Sequence, residues 1–168
     1  MAAAMSPIHK FSLHYDPAED RLAWDTEDTG GATTRLWLTQ RLCRGLVGAI
    51  LPLIEARLDA PPQHQATVQS WEQAAAMADF GKTPPVQTRA ESATGLVSAV
   101  HITPTTEGFD LTFDFGAGEQ RTVGVVLAAV RQTLDVLHRL SVSAGWPQDI
   151  WPAWIAQPAN SAPIDVVN

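Results

Sequence analysis

The side chains best suited to chemistry are few and scattered: five histidines, His9, His14, His64, His101 and His138, and one cysteine, Cys43. The five histidines form no metal-ligand motif, and a single thiol cannot build a thiolate cluster. No phosphate-cradling glycine loop, nucleophile elbow or helical HExxH pair is present. The expectation is therefore a chain with no catalytic, cofactor-binding or metal-ligating residue and no cofactor. Three clusters remain to be weighed. His14 and His101 occupy matching places in two similar stretches, with Asp20 and Glu107 near by. Brought together they would form a polar or metal-capable group; held apart they are solvated strand histidines, the favoured reading. Cys43 lies between Arg41 and Arg44 near a helix start, where a thiol pKa falls, but its place on an apolar face argues for a buried, inert thiol. Asp16, Glu19, Asp20, Asp25, Glu27 and Asp28 gather around the turns of one hairpin, a charged edge that discourages strand-to-strand association. Their spacing is not that of a calcium loop.

The elements that carry these groups follow from periodicity. Residues 8–15 alternate, with Phe11, Leu13 and Tyr15 opposite Ser12 and His14, the period of a half-buried strand. Residues 21–25 return as the second strand of a hairpin, and 35–38 form a third. Thr39 is placed to cap the helix that follows. That helix carries two apolar rows, Leu42, Leu46, Ile50 and Leu53 beside Cys43, Val47, Leu51, Ile54 and Leu58. They leave only a narrow strip of Arg41, Arg44, Gly45, Gly48 and Glu55, wider apolar cover than a surface helix needs. Pro52 should kink this helix or divide it. The uncharged run 45–54 is too short for a membrane span, which takes roughly 20 apolar residues.

A second helix is expected over 63–80, burying Val68, Trp71, Ala75 and Ala78, followed by a polar linker over 81–95. Strands at 96–102, 109–115 and 122–125 then lead into a helix reaching about residue 142, with Val126, Val130, Leu134, Leu137 and Leu140 on its buried side. A shift of 87 positions lays His14 on His101, Pro17 on Pro104 and Asp20 on Glu107, and a shift of 84 lays Leu46 on Val130 and Ile50 on Leu134. The predicted architecture is thus α+β, one domain over 8–158 made of two duplicated β-β-β-α halves, 8–59 and 96–143. Helix 63–80 and the linker join them. Three strands with one apolar face cannot close a core alone, so the halves must pack on each other. Residues 1–7 and 159–168 are expected to be disordered.

Three of the six tryptophans, Trp146, Trp151 and Trp154, crowd beside Pro147, Pro152 and Pro158. The prolines oppose regular structure, so 145–158 is expected to form an extended strap. Either it covers the protein's own core, the favoured reading, or it docks on a partner through Trp146, Trp151, Trp154 and Ile155. The net charge of −7 disfavours a phosphate-binding surface. The lone cysteine points to a reducing, cytoplasmic setting.

The order of strands and helix resembles that of the single-strand nucleic-acid-binding PUR-repeat and Whirly folds, whose repeats have more strands and whose base-contacting motifs have no counterpart here. A separate alternative, read from the residues themselves, is a single-stranded nucleic-acid binder that stacks bases on Trp24, Trp37 or strand phenylalanines in an arginine-lined groove with Arg35 and Arg121. The leading expectation is instead a non-enzymatic cytoplasmic interaction module, an adaptor or assembly subunit that self-associates or joins a hetero-complex. Its candidate interface is Arg41, Arg44, Gly45 and Gly48 with the tryptophan strap. An enzyme with an unrecognised site is a further alternative.

Overall fold

The computed structural model describes residues 8–78 and 80–157. The termini expected to be disordered, and Pro158 at the end of the expected strap, lie outside the described residues. The elements run β1 (Ile8–Asp16), β2 (Arg21–Asp28), β3 (Thr33–Leu38), α1 (Gln40–Glu55), a 3-10 turn (Pro62–His64), α2 (Gln65–Ala78), β4 (Ala93–Pro104), β5 (Gly108–Phe115), β6 (Glu119–Val126), α3 (Leu127–Ser143) and α4 (Ala153–Ala156). The architecture is α+β, with one six-stranded mixed sheet and four α-helices among the described residues.

The strands lie in the sheet in chain order, antiparallel except where β3 meets β4. Parallel neighbours need a crossover, and α1, the 3-10 turn and α2 supply it. The edge strands β1 and β6 approach each other, so the sheet curls around its inner face. There Trp24 stacks between Phe11 at 5.3 Å and Phe113 at 5.0 Å. Leu22, Leu36, Leu38, Phe109 and Leu111 join them, and α1 and α3 close the core with Val47, Ile50, Ile54, Val130, Leu134 and Leu137. The β5–β6 hairpin leaves no room at Gly108: a Cβ there would stand 1.9 Å from the carbonyl oxygen of Val125.

The strands are longer than alternation alone indicated, because pairing runs to the hairpin ends, from Asp16↔Arg21 to Ile8↔Asp28. β4 starts at Ala93, inside the expected linker, since residues 93–96 pair with residues 34–37 of β3. Farther back in the linker Val86 is buried, and its backbone N–H donates to the Ser12 hydroxyl at 3.1 Å. Pro52 neither ends nor divides α1. It sits in the last turn, where it withdraws only the bond that residue 52 would donate to the exposed Gly48 carbonyl.

Val126, expected on the buried side of the last long helix, is instead 52% exposed and closes β6. Two larger expectations are also corrected. The expected buried stripe of α2 is not buried: Trp71 is 63% exposed, and Ala75 and Ala78 also face solvent. The helix buries Gln69, Gln73 and Ala76 instead, because the surface it meets on α3 is polar. Arg131 donates to the Gln69 side-chain oxygen at 2.6 Å, the Gln73 amide donates to the Arg131 carbonyl at 2.9 Å, and Gln132 donates to the Ala76 carbonyl at 2.7 Å. The second correction concerns the tryptophan segment, which is not extended throughout. Residues 153–156 form α4 directly after Pro152, a place where a proline costs no intrahelical hydrogen bond.

Candidate functional site

The exposed side of α1 is the place to begin, because its neighbours are fixed from both ends. Thr39 caps the helix, its hydroxyl accepting from the Leu42 N–H at 3.3 Å. Cys43, Leu46, Val47, Ile50, Leu51 and Ile54 point inward. Burial pushes the Cys43 thiol up to about 12, so it stays protonated and unreactive at neutral pH. Arg41, Gly45, Gly48, Ala49 and Glu55 point outward. A Cβ built on Gly45 or Gly48 meets nothing within 4 Å, so no close packing inside the chain calls for glycine at either position. Between this strip and β4 runs an open groove of about 340 Å³, floored by Leu42, Leu46, Val100 and Ile102.

Arg44 does not share that open strip. It makes a two-pronged ion pair with Asp149, both oxygens at 2.9 Å, and donates to the Pro147 carbonyl at 3.3 Å. The guanidinium holds the Asp149 carboxyl below its usual range. Arg44 therefore fastens the tryptophan segment to α1 and is committed within the chain.

The segment is seated from its first residue. α3 ends in a Schellman motif: Gly145 has φ 70, its N–H donates to the Val142 carbonyl, and the Trp146 N–H donates to the Ser141 carbonyl. Only a residue at ease with positive φ closes a helix in this way. Trp146 turns into the core against the edge of Tyr15, ring centroids 5.9 Å apart, and its indole N–H donates to Asp20 at 3.2 Å. The same Asp20 oxygen accepts from the Tyr15 hydroxyl at 2.8 Å. That bond to a carboxylate raises the Tyr15 pKa.

Trp151 is half-buried against His138, ring centroids 5.1 Å apart, and burial lowers the His138 pKa. Trp154 lies beneath the Arg131 guanidinium at 5.4 Å, and Trp154 and Ile155 are only 6% and 1% exposed. Trp146, Trp154 and Ile155 are thus covered by the chain itself and present no surface to a partner, because the core they complete is their own. Of the eight candidate interface residues, the structure keeps Arg41, Gly45 and Gly48 on one open face and Trp151 partly accessible elsewhere.

The four candidate base-contacting residues do not converge. The register sets Trp24 opposite Leu36 and Trp37 opposite Ala23, so the two indoles lie on opposite faces of the sheet. Trp24 is fully buried, which removes it as a stacking platform. Arg35 lies 5.5 Å over the Trp37 ring and is held by the buried Asp25 through bonds of 2.7 and 2.8 Å. Asp25 raises the Arg35 pKa by that hydrogen bonding. Arg121 reaches back to the Thr34 hydroxyl at 3.3 Å.

His14 and His101 are not neighbours either, since β1 and β4 are three strand spacings apart, roughly 14 Å along the sheet. Each meets an aspartate on the adjoining strand, Asp25 at 3.6 Å and Asp114 at 2.8 Å. Among the described residues no group of three potential ligands could hold a metal ion, and no described helix is long and apolar enough to cross a membrane. Sequence reasoning missed the Arg44–Asp149 and Arg35–Asp25 pairs. Asp25 and Arg35 carried a legible signal, opposite charges on consecutive predicted strands. Arg44 and Asp149 carried none. No family model, curated protein or solved structure matches the chain.

Proposed function

We propose that this chain is a non-enzymatic interaction module of a reducing, cytoplasmic setting, and that it self-associates through the open face of α1 rather than through its tryptophans. The observation that carries the reading is the pair Gly45 and Gly48, both exposed on α1, with Gly45 on the lining of the apolar groove along β4. Each glycine inside a helix costs about 1 kcal/mol relative to alanine, and no neighbour within the chain requires the small residue. Close approach of a second backbone would require it. The groove beside the glycines offers Leu42, Val100 and Ile102, all only partly buried, as apolar surface for the partner copy to cover. A stable interface of this kind buries roughly 1,600 Å² in total.

The proposal includes an origin by internal duplication. Its support is the repeated order of elements, three strands leading into a helix in each half, β1–β3 with α1 and β4–β6 with α3.

Light scattering coupled to size exclusion tests the self-association. The wild-type chain should run as a dimer at micromolar concentration. The variant G45R/G48R should be a folded monomer, because its new side chains enter open space within the chain, and G45A/G48A should weaken the dimer, because even a methyl group holds the second backbone off. A wild-type chain that is monomeric throughout, or a G45R/G48R variant that remains dimeric, would overturn the proposal.

A further inference from the structure

A second cleft, of about 420 Å³, lies between β1, residues 80–85 and α3. β1 contributes five consecutive residues, 9–13, to its lining. A strand that turns one face to a cavity contributes every second residue, because its side chains alternate. Five in succession mean that the cleft runs along the edge of β1. That edge is unpaired: β1 is the outermost strand of the sheet and is bonded only to β2, and β6, the opposite edge, contributes no residue to this lining. The segment facing β1 does not take the missing place. Among the described residues no backbone hydrogen bond joins 80–85 to β1, and Pro84 and Pro85 have no N–H to give. Val86, just beyond, donates to the Ser12 hydroxyl at 3.1 Å rather than to the backbone of β1.

An open strand edge presents a row of N–H and C=O groups, and the ligand that matches this repeat is another extended backbone. The two sides of the edge then select side chains. Inward stand Phe11 and Leu13, with Ala129 and Val136 of α3 behind them. Outward stand Lys10 and Ser12. Glu27, directly across the ladder from Lys10, turns to His9 at 3.6 Å, and Lys10 forms no ion pair among the described residues. The Ser12 oxygen accepts from Val86, so its own proton remains to be given. Lys82, on the far wall, already has a partner within the structure and is assigned no part. None of the described lining residues is acidic. A lysine on an edge strand deters indiscriminate pairing and favours a strand that brings a carboxylate to the matching position.

We propose that the open edge of β1 takes an extended segment of a partner protein as an added strand. Apolar side chains of that segment alternate inward onto Phe11 and Leu13, and acidic ones lie outward beside Lys10 and Ser12. Five residues at roughly 3.3 Å each span about 16 Å of edge. The site is separate from the α1 face and does not depend on self-association there.

The test is calorimetric titration of the full chain with the peptide acetyl-Val-Glu-Val-Glu-Val-amide, with amide hydrogen exchange followed in parallel. The peptide should bind saturably and slow exchange within residues 9–13. Two further peptides carry backbone N-methyl groups, one on its valines and the other on its glutamates. Alternate N–H groups of an added strand face the neighbour, so one methylated peptide should lose at least about tenfold in affinity and the other should keep it. A peptide with lysine in place of each glutamate should bind about fivefold more weakly, although the net charge of −7 would favour it, and K10E should invert that preference. V136W should weaken binding by filling the cleft while circular dichroism shows the fold kept. No saturable binding, the same affinity for both methylated peptides, protection centred outside 9–13, a preference unmoved by K10E, or undiminished binding to V136W would overturn the proposal. Protection of 9–13 that rises with protein concentration in the absence of peptide would place a second copy at that edge and overturn it as well.

Discussion

Truncation of Trp154 to alanine measures whether the tryptophan segment belongs to the core. The ring is 6% exposed, packed beneath Arg131, with Ile155 beside it in sequence at 1%. A buried tryptophan removes on the order of 200 Å² from water, which at about 25 cal/mol per Å² comes to ~5 kcal/mol. The unfolded chain already hides part of that surface, so W154A should cost about 3–4 kcal/mol, within the range of large-to-small core substitutions. Trp151 is half-buried, and its indole N–H has no hydrogen-bond partner among the described residues; W151A should cost about 1–2 kcal/mol by the same area argument. Urea unfolding followed by far-ultraviolet circular dichroism gives both numbers, with the slope of each transition checked against wild type. If W154A loses less than about 1 kcal/mol, the segment is not part of the folded core and the reasoning fails; its tryptophans would then be available to a partner after all.

Arg131 is 3% exposed, and its Nε and Nη1 have no hydrogen-bond partner among the described residues. Burial lowers its pKa, with Glu72 pulling the other way, and a buried charge short of hydrogen-bond partners is a standing cost. Replacing it together with its hydrogen-bonded partner, as R131M/Q69L, should stabilise the fold by about 1–4 kcal/mol, read as a higher urea midpoint at unchanged slope; a lower midpoint would show the guanidinium to be well satisfied. Asp149 has its folded pKa depressed by Arg44, so its contribution is complete above the unfolded carboxylate value of about 3.9 and is lost as pH falls through the folded value. Melting temperatures measured from pH 6 down to pH 2.5 should therefore fall less steeply for D149N than for wild type, and parallel curves would refute the link.

Much of the fold was legible because periodicity reports which face of a local element is apolar. The alternation around Phe11, Trp24 and Phe113 and the rows along α1 and α3 place those elements without knowledge of their neighbours. The same reasoning put the wrong face of α2 inward. It assumes that a helix meets an apolar surface, whereas α3 presents Arg131 and Gln132, and the glutamines of α2 turn inward to satisfy them.

The candidate interface divides along the same line. That α1 has an exposed strip containing Gly45 and Gly48 is a property of the sequence, fixed by 3.6 residues per turn. That Arg44 is withdrawn from that strip depends on Asp149, a residue 105 positions away. The direction of the tryptophans likewise depends on contacts with Tyr15, Asp20, Arg131 and His138. Sequence alone determined the six strands, the three longer helices, their order and the scarcity of catalytic motifs, because these follow from local spacing and composition. The tertiary structure alone decided which side chains meet: it buried Trp24, separated His14 from His101, and brought both lysines to one cleft. Such meetings follow from how the sheet curls and which strands become neighbours, and no local pattern encodes them.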